Sequence, residues 1–243
     1  MNKLLENKIA VVTGSSKNLG LAIATALAVD GASVMVVSRS MERAREAVRK
    51  IEGQGGVAAP LEADVTEEAA ADKIVEQAVA RFGGVDTLVN CAGVFVWKPF
   101  LEISGEEWRQ VLETNLSAPF VLTQRAAKQM IEQGRGGSII NISSIHGSVA
   151  DPHVVPQCAS KFGLEGLTRA AAEALRQFDI RVNAVAPGSL APDSAERRGD
   201  SPRKQVTQAD VATLVVYLAS DLARSLTGVV LDAFGNTRTV IKA

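Results

Sequence analysis

The sequence predicts a single α/β domain, three layers deep (αβα), around a doubly wound parallel sheet of about seven strands. Three observations carry that class. Short apolar runs without alternation recur along the chain, as strands buried on both faces do. Segments of helical period separate them, the β-α alternation that builds a parallel sheet with right-handed crossovers. The chain has 243 residues, 47% hydrophobic and 22% charged, enough for one domain spanning 1–243 with a substantial core but not for two.

The first strand is read from "KIAVVTG" (8–14) and the second from "ASVMVVS" (32–38). Between them "LGLAIATALAVDGA" has helical period and a stop at Gly31. Further strands are expected at 57–63, 87–90, 138–142, 181–186 and 229–231. Helical patterns occupy 41–53, 67–82, 106–133, 159–177 and 208–219. Only "DSAERRGDSPRKQ" (193–205) breaks the rhythm; it is polar, mixed in charge and aperiodic, as a solvated loop or a flap beside a site would be.

Composition excludes several roles. The formal net charge of −1 gives no basic field for nucleic acid or an anionic membrane. No run of about 18 apolar residues is present, and "MNKLLENKIAVV" lacks a signal core, so a cytoplasmic location is expected. Cys91 and Cys158, the two cysteines, form neither a disulfide framework nor a metal spacing, and are read as buried small residues. No metal is expected.

"VVTGSSKNLGLAIA" leaves the first strand and opens the first helix, the context that gives a glycine motif its meaning. Gly14 lets the backbone turn sharply, and Gly20 lets the helix pack closely on the sheet. The helix amino terminus then offers free N–H groups and a positive dipole end to a pyrophosphate. The middle position is Asn18, the kind of non-glycine residue that best tolerates a left-handed backbone. Such a loop suits a Rossmann-like dinucleotide site without identifying one by itself.

"TGSSKNLG" resembles the T-G-x-x-x-G-x-G motif of the short-chain dehydrogenase/reductase family. Also similar to that family, in order and spacing, are "ADV" (63–65), "NCAG" (90–93), "TNLSAPF" (114–120), "NISSIHG" (141–147), "CASK" (158–161) and "VNAVAPG" (182–188). The resemblance spans nearly the whole chain. It implies that Gly14, Ser16, Lys17, Asn18, Leu19 and Gly20 hold the pyrophosphate. It places Asp64 and Val65 at the adenine, Asn90, Ala92 and Gly93 on the ribose side, and Pro187 and Gly188 near the nicotinamide. An acidic residue closing the second strand would accept from a ribose 2′-hydroxyl. Here Ser38 stands there, followed by Arg39, with Lys17 in the loop nearby. Cations without a carboxylate suit a 2′-phosphate, so NADP(H) is favoured over NAD(H).

The resemblance implies hydride transfer between nicotinamide and a carbonyl or alcohol. A serine binds the substrate oxygen, a tyrosine exchanges the proton, a lysine lowers the tyrosine pKa and binds the nicotinamide ribose, and an asparagine holds a water-linked relay. These map to Ser144, Gln157, Lys161 and Asn115. The tyrosine is missing: "QCASK" stands in place of "YCASK". A primary amide donates a hydrogen bond but releases no proton near neutral pH, and general acid–base assistance is worth about 10² to 10⁴ in rate. The single tyrosine, Tyr217, lies in an apolar helical pattern and reads as a core residue. Of the two histidines, His153 is the better substitute acid and His146 the weaker.

Two further departures fall on the substrate side. Pro192 stands where the family has a threonine for the carboxamide, and the lid segment, 189–206, is short. Phe95, Trp97 and His153 are candidates for the pocket wall. Three readings remain open: an oxidoreductase using His153 or water as its acid, a cofactor-binding protein without turnover, and a lyase or isomerase. Assembly as a homodimer or homotetramer through helices 106–133 and 159–177 is implied by the resemblance alone. The carboxyl end, "LDAFGNTRTVIKA", departs from the family's glycine-pair ending.

Overall fold

The computed structural model describes residues 3–190 and 206–235. Pro192, the 193–205 flap and the chain from residue 236 lie outside the described residues. Seven parallel strands form one sheet in the order β3-β2-β1-β4-β5-β6-β7. They are β1 (Ile9–Thr13), β2 (Ser33–Ser38), β3 (Val57–Glu62), β4 (Thr87–Asn90), β5 (Gly137–Ile142), β6 (Ile180–Pro187) and β7 (Val230–Ala233). The order reverses between β1 and β4, which opens a crevice at their carboxyl ends where ligands of such sheets bind.

The helices are α1 (Asn18–Val29), α2 (Met41–Glu52), α3 (Ala70–Phe82), α4 (Gly105–Leu112), α5 (Ala118–Gln133), α6 (Val155–Leu175) and α7 (Gln208–Ala219). Each face of the sheet has its own core. Ile23 and Leu27 of α1, Ile51 of α2 and Leu218 of α7 pack against Ala10, Val12 and Val34 on one face. Ile74 of α3, Leu122 and Met130 of α5 and Ala172 of α6 pack against Val11, Met35 and Ile139 on the other. Successive residues of β1 thus feed opposite cores, which is why its sequence is continuously apolar. No helix among the described residues is long and apolar enough to cross a membrane.

Three local expectations are corrected. The pattern at 106–133 is one helical rod but not one α-helix: Glu113–Ser117 forms a π-turn in which the Ala118 N–H reaches back to the Glu113 carbonyl. An extra residue is accommodated there, and such bulges concentrate at functional positions. α6 starts at Val155, four residues earlier than the period indicates, because Pro156 is tolerated in a first turn, where no N–H is required of it. Tyr217 is 36% exposed rather than a core residue. It lies near Arg181, at the amino-terminal start of β6, at the end of the sheet opposite the crevice.

Candidate active site

At the crevice, the turn after β1 is tied down from both sides. Thr13 Oγ1 accepts from the Cys91 and Ala92 N–H groups at 3.0 and 3.1 Å, joining the turn to the one after β4. The Ser15 hydroxyl donates to the Val12 carbonyl at 2.6 Å and accepts from the Val37 N–H at 3.2 Å, joining it to β2. Gly14 has φ +65°, and a Cβ there would lie 2.8 Å from Ala92 Cα. Asn18 adopts φ +48°, the left-handed conformation expected of it. A side chain on Gly20 would collide with the Gly14 carbonyl. α1 begins on Lys17 without a side-chain cap, as α3, α5 and α6 also begin uncapped. Bare N–H groups at a helix start, with backbone on which no Cβ fits, suit a pyrophosphate. Thr13 and Ser15 were not singled out from sequence; hydroxyls flanking a turn glycine were the available signal.

The adenosine side is assembled from the ends of β2 and β3. Ser38 is buried and donates to Ser16 Oγ at 3.1 Å. The Arg39 side chain is 71% exposed, and its guanidinium lies 3.9 Å from Asp64 Oδ2. Thr66 occupies the other oxygen of Asp64 with its N–H and hydroxyl, at 3.0 and 2.8 Å. A carboxylate therefore does stand beside Arg39, contrary to the expectation of cations alone, although its lone pairs are partly engaged. Lys17 is exposed in the loop, and Leu19, Val65, Ala92 and Gly188 are half-buried around the crevice. Gly188 donates to the Ala233 carbonyl at 2.9 Å, which fixes the turn that Pro187 begins. Asn90 differs from its neighbours. Its amide is turned inward, donating to Asn141 Oδ1 at 2.8 Å and Thr123 Oγ1 at 3.3 Å, so its side chain braces β4 against β5.

Two of the residues expected at the reaction centre, Gln157 and Lys161, lie on α6, and Asn115 lies in the π-turn. Asn115 is fully buried. Its Oδ1 accepts from the Val94 N–H at 2.9 Å, and its Nδ2 donates to the Val94 carbonyl at 2.8 Å. Its second Nδ2 hydrogen is shared between Gln157 Oε1 at 2.8 Å and Ser160 Oγ at 3.2 Å. The bulge is what aims Asn115 at both the 94–98 segment and α6. Gly163 permits the approach, since a Cβ there would lie 2.8 Å from Leu116 Cδ2. Lys161, one turn beyond Gln157, donates to the Ile142 carbonyl at 2.7 Å. Two residues after Ile142, Ser144 Oγ accepts from the His146 N–H at 3.2 Å. Asn115, Gln157 and Ser160 form one connected group; Lys161 is held at the end of β5 by the Ile142 carbonyl, two residues before Ser144. Ser160 was missed from sequence, and its position three residues after Gln157 on one helix was the signal.

His153 is placed differently from a substitute acid. Its ring stacks on Trp97 with centroids 5.3 Å apart and 5° between planes, and Asp151 Oδ1 lies 3.5 Å from its Nδ1. It is exposed and makes no hydrogen bond to Gln157 or Ser144. His146 Nδ1 is buried without a partner among the described residues. Phe95 and Trp97 are exposed, on the segment joined to Asn115 through Val94 and to His153 through Lys98.

Lys161 is 6% exposed. Burial pulls its ammonium down to about 8, with the Cys91 side chain opposing. Cys91 is half-buried as a residue, not fully buried as expected. Burial nevertheless pushes its thiol up to about 11, opposed by the Lys161 charge. Between 8 and the ordinary lysine value of 10.5, the unfolded chain binds the proton that the folded one has released, so Lys161 makes stability rise with pH. Between the ordinary thiol value of 9.0 and 11, the folded chain keeps a proton that the unfolded one has lost, and Cys91 makes stability fall. The pair gives a gain from pH 8 to 9, near-cancellation to about 10.5 and a loss above. Lys161→Met removes the desolvated cation, so Tm should rise by about 5 °C at pH 7, an advantage that shrinks toward pH 10, while dinucleotide affinity falls. An unchanged or lowered Tm at pH 7, measured by calorimetry, contradicts this account.

A doubly wound parallel sheet, a glycine turn opening a bare helix and a serine–lysine–asparagine constellation at the crevice define a dinucleotide-binding protein of oxidoreductase type. The chain belongs to the short-chain dehydrogenase/reductase family, whose members bind nicotinamide dinucleotides: the short chain dehydrogenase family model matches residues 8–202. It is 40% identical over 244 residues to 3beta-hydroxysteroid dehydrogenase 1 of Eggerthella lenta, covering 95% of this chain and 94% of that protein. It is 36% identical over 239 residues to the 3-oxoacyl-[acyl-carrier-protein] reductase FabG of Staphylococcus aureus, covering 94% and 97%. A crystal structure of a short-chain type dehydrogenase/reductase from Mycobacterium marinum superposes with a TM-score of 0.91 at 30% identity, over 98% of both chains.

Proposed function

We propose that this chain is an NADP(H)-binding short-chain oxidoreductase for a carbonyl or alcohol substrate, whose ordinary proton delivery is impaired. The observation that carries the reading is Gln157 at the tyrosine position, its amide hydrogen-bonded to Asn115 at 2.8 Å, with Ser144, Lys161 and Asn115 kept. The bound nicotinamide supplies or accepts the hydride. Ser144 offers a hydrogen bond to the substrate oxygen, and Lys161 carries positive charge at the end of β5. Gln157 donates to the same region but releases no proton, so an alkoxide formed there takes its proton from water. Cofactor binding without turnover is the second reading, supported by the absence of any titratable group bonded to Gln157 among the described residues.

The names of the relatives, a hydroxysteroid dehydrogenase and an oxoacyl reductase, support a secondary alcohol or ketone on an apolar frame. Phe95 and Trp97 suit such a frame. An apolar groove of about 370 Å³ between α5 and α6, lined by Phe120, Ile131, Leu167 and Leu175 among others, supports assembly through those helices.

Titration with NADPH and NADH, followed by cofactor fluorescence, tests the binding half. NADPH should bind more tightly, and Arg39→Ala should weaken NADPH by about 10- to 100-fold, the worth of a charge-assisted hydrogen bond, leaving NADH nearly unchanged. Equal affinities in the unaltered protein would refute the NADP(H) assignment. NADPH consumption over a ketone panel tests the chemistry.

A further inference from the structure

The helix that carries Gln157 and Lys161 is bonded to three successive residues, 141–143, where β5 ends. Asn141 Nδ2 donates to Thr168 Oγ1 at 2.9 Å, and Lys161 Nζ donates to the Ile142 carbonyl at 2.7 Å. The third bond is the one next to Ser144: the Ser143 hydroxyl donates to Glu165 Oε1 at 3.0 Å. Glu165 lies one turn beyond Lys161 on α6 and is 6% exposed. Its other oxygen has only Arg169 at 3.5 Å, a guanidinium lying largely in solvent. Burying a carboxylate with so little compensation is costly. Burial lifts its carboxyl above the usual range, against the opposing pull of Ser143 and Arg169.

The backbone beyond Ser144 is packed on the same carboxylate. A Cβ on Gly147 would collide with Glu165 Oε1 and with Ser143 Oγ, so only glycine fits there. The Gly147 N–H closes the turn on the Ser144 carbonyl at 2.8 Å, and the Ser143 N–H is fixed on the Val185 carbonyl at 2.7 Å. Glu165 thus meets the turn at both ends, Ser143 and Gly147, with Ser144 between them.

We infer that Glu165 is a positioning residue: by holding Ser143 and seating Gly147 it fixes the 143–147 turn, and with it the place of Ser144 relative to Gln157 on the same helix. It acts on the reaction only through Ser144. The role needs an acceptor at Oε1, not a negative charge, and a glutamine supplies one. The inference deepens the proposed function and rests on its reading of Ser144 as the residue that bonds the substrate oxygen.

Residue-resolved amide exchange at pH 7 on the whole chain reads the turn directly, whether or not any ketone is reduced. In Glu165→Leu the Gly147, Ser148 and Val149 amides should exchange at least about ten-fold faster, the worth of a lost hydrogen bond to a charged group. Ile140, paired on both sides in the sheet, should change far less. Glu165→Gln should keep the parent's rates within about three-fold, since the acceptor remains. Ser143→Ala removes the donor instead and should give the same local acceleration, so the test stands if the leucine variant does not fold. Where Gln157→Tyr gives turnover, adding Glu165→Leu should lower kcat and leave NADPH affinity unchanged. Three results would overturn the inference: Ile140 accelerating as much as the turn, unchanged turn rates in both Glu165→Leu and Ser143→Ala, or a glutamine variant that behaves like the leucine one. Failure to bind NADPH counts instead against the proposed function, and the exchange rates still decide the inference.

Discussion

Gln157→Tyr is expected to raise NADPH-dependent ketone reduction by about 10²- to 10⁴-fold, the range that a positioned general acid supplies. That corresponds to roughly 3–5 kcal/mol of transition-state stabilisation. The surroundings are already built for a phenol. Lys161 stands one turn along α6, held to the Ile142 carbonyl at 2.7 Å, where its charge would favour the phenolate. Asn115 loses one acceptor on substitution but keeps Val94 and Ser160, so the bulge that aims it survives. Initial rates over a ketone panel, compared with the unaltered protein, give the answer. If NADPH binds and no ketone is turned over faster, the amide is not the main lesion. The fault would then lie in the segment containing Pro192 and the short lid.

The second large effect is on stability. Asn115→Leu fills similar volume but strips the Val94 N–H and carbonyl of their partners, and unpaired backbone groups cost about 1–3 kcal/mol each. These bonds are only partly buried, so a total of about 2–4 kcal/mol is expected, a fall in Tm near 10 °C for a domain of this size. Thermal unfolding of Asn115→Leu, with Asn115→Asp as a partner that keeps the acceptor for the Val94 N–H, separates the contributions. A Tm within about 2 °C of the parent for Asn115→Leu would mean the clamp contributes little.

These two residues also mark the limit of what could be read from sequence. The identity of Gln157 and its place four residues before Lys161 are plain in "QCASK". Its bond to Asn115 joins positions 42 apart, and the clamp on Val94 joins positions 21 apart. Neither separation has a local periodicity, so no window of sequence reveals it. The π-turn was hidden for a related reason: the apolar period runs through 106–133 without a break, and the extra residue is taken up in backbone bonding. Tyr217 misled because its apolar neighbours set the expectation, while packing left its own face outside.

The sequence by itself determined the sheet, its layers, the glycine turn with a left-handed Asn18, and a glutamine, not a tyrosine, four residues before Lys161. Those follow from chain-local physics: the period of burial, the sterics of φ and the chemistry of a side chain. Only the tertiary structure decided which way the Gln157 amide points, that Asp64 stands beside Arg39, and that His153 stacks on Trp97. Each of these depends on groups brought together from distant elements, where hydrogen-bond direction and burial are set by neighbours that the chain order does not name.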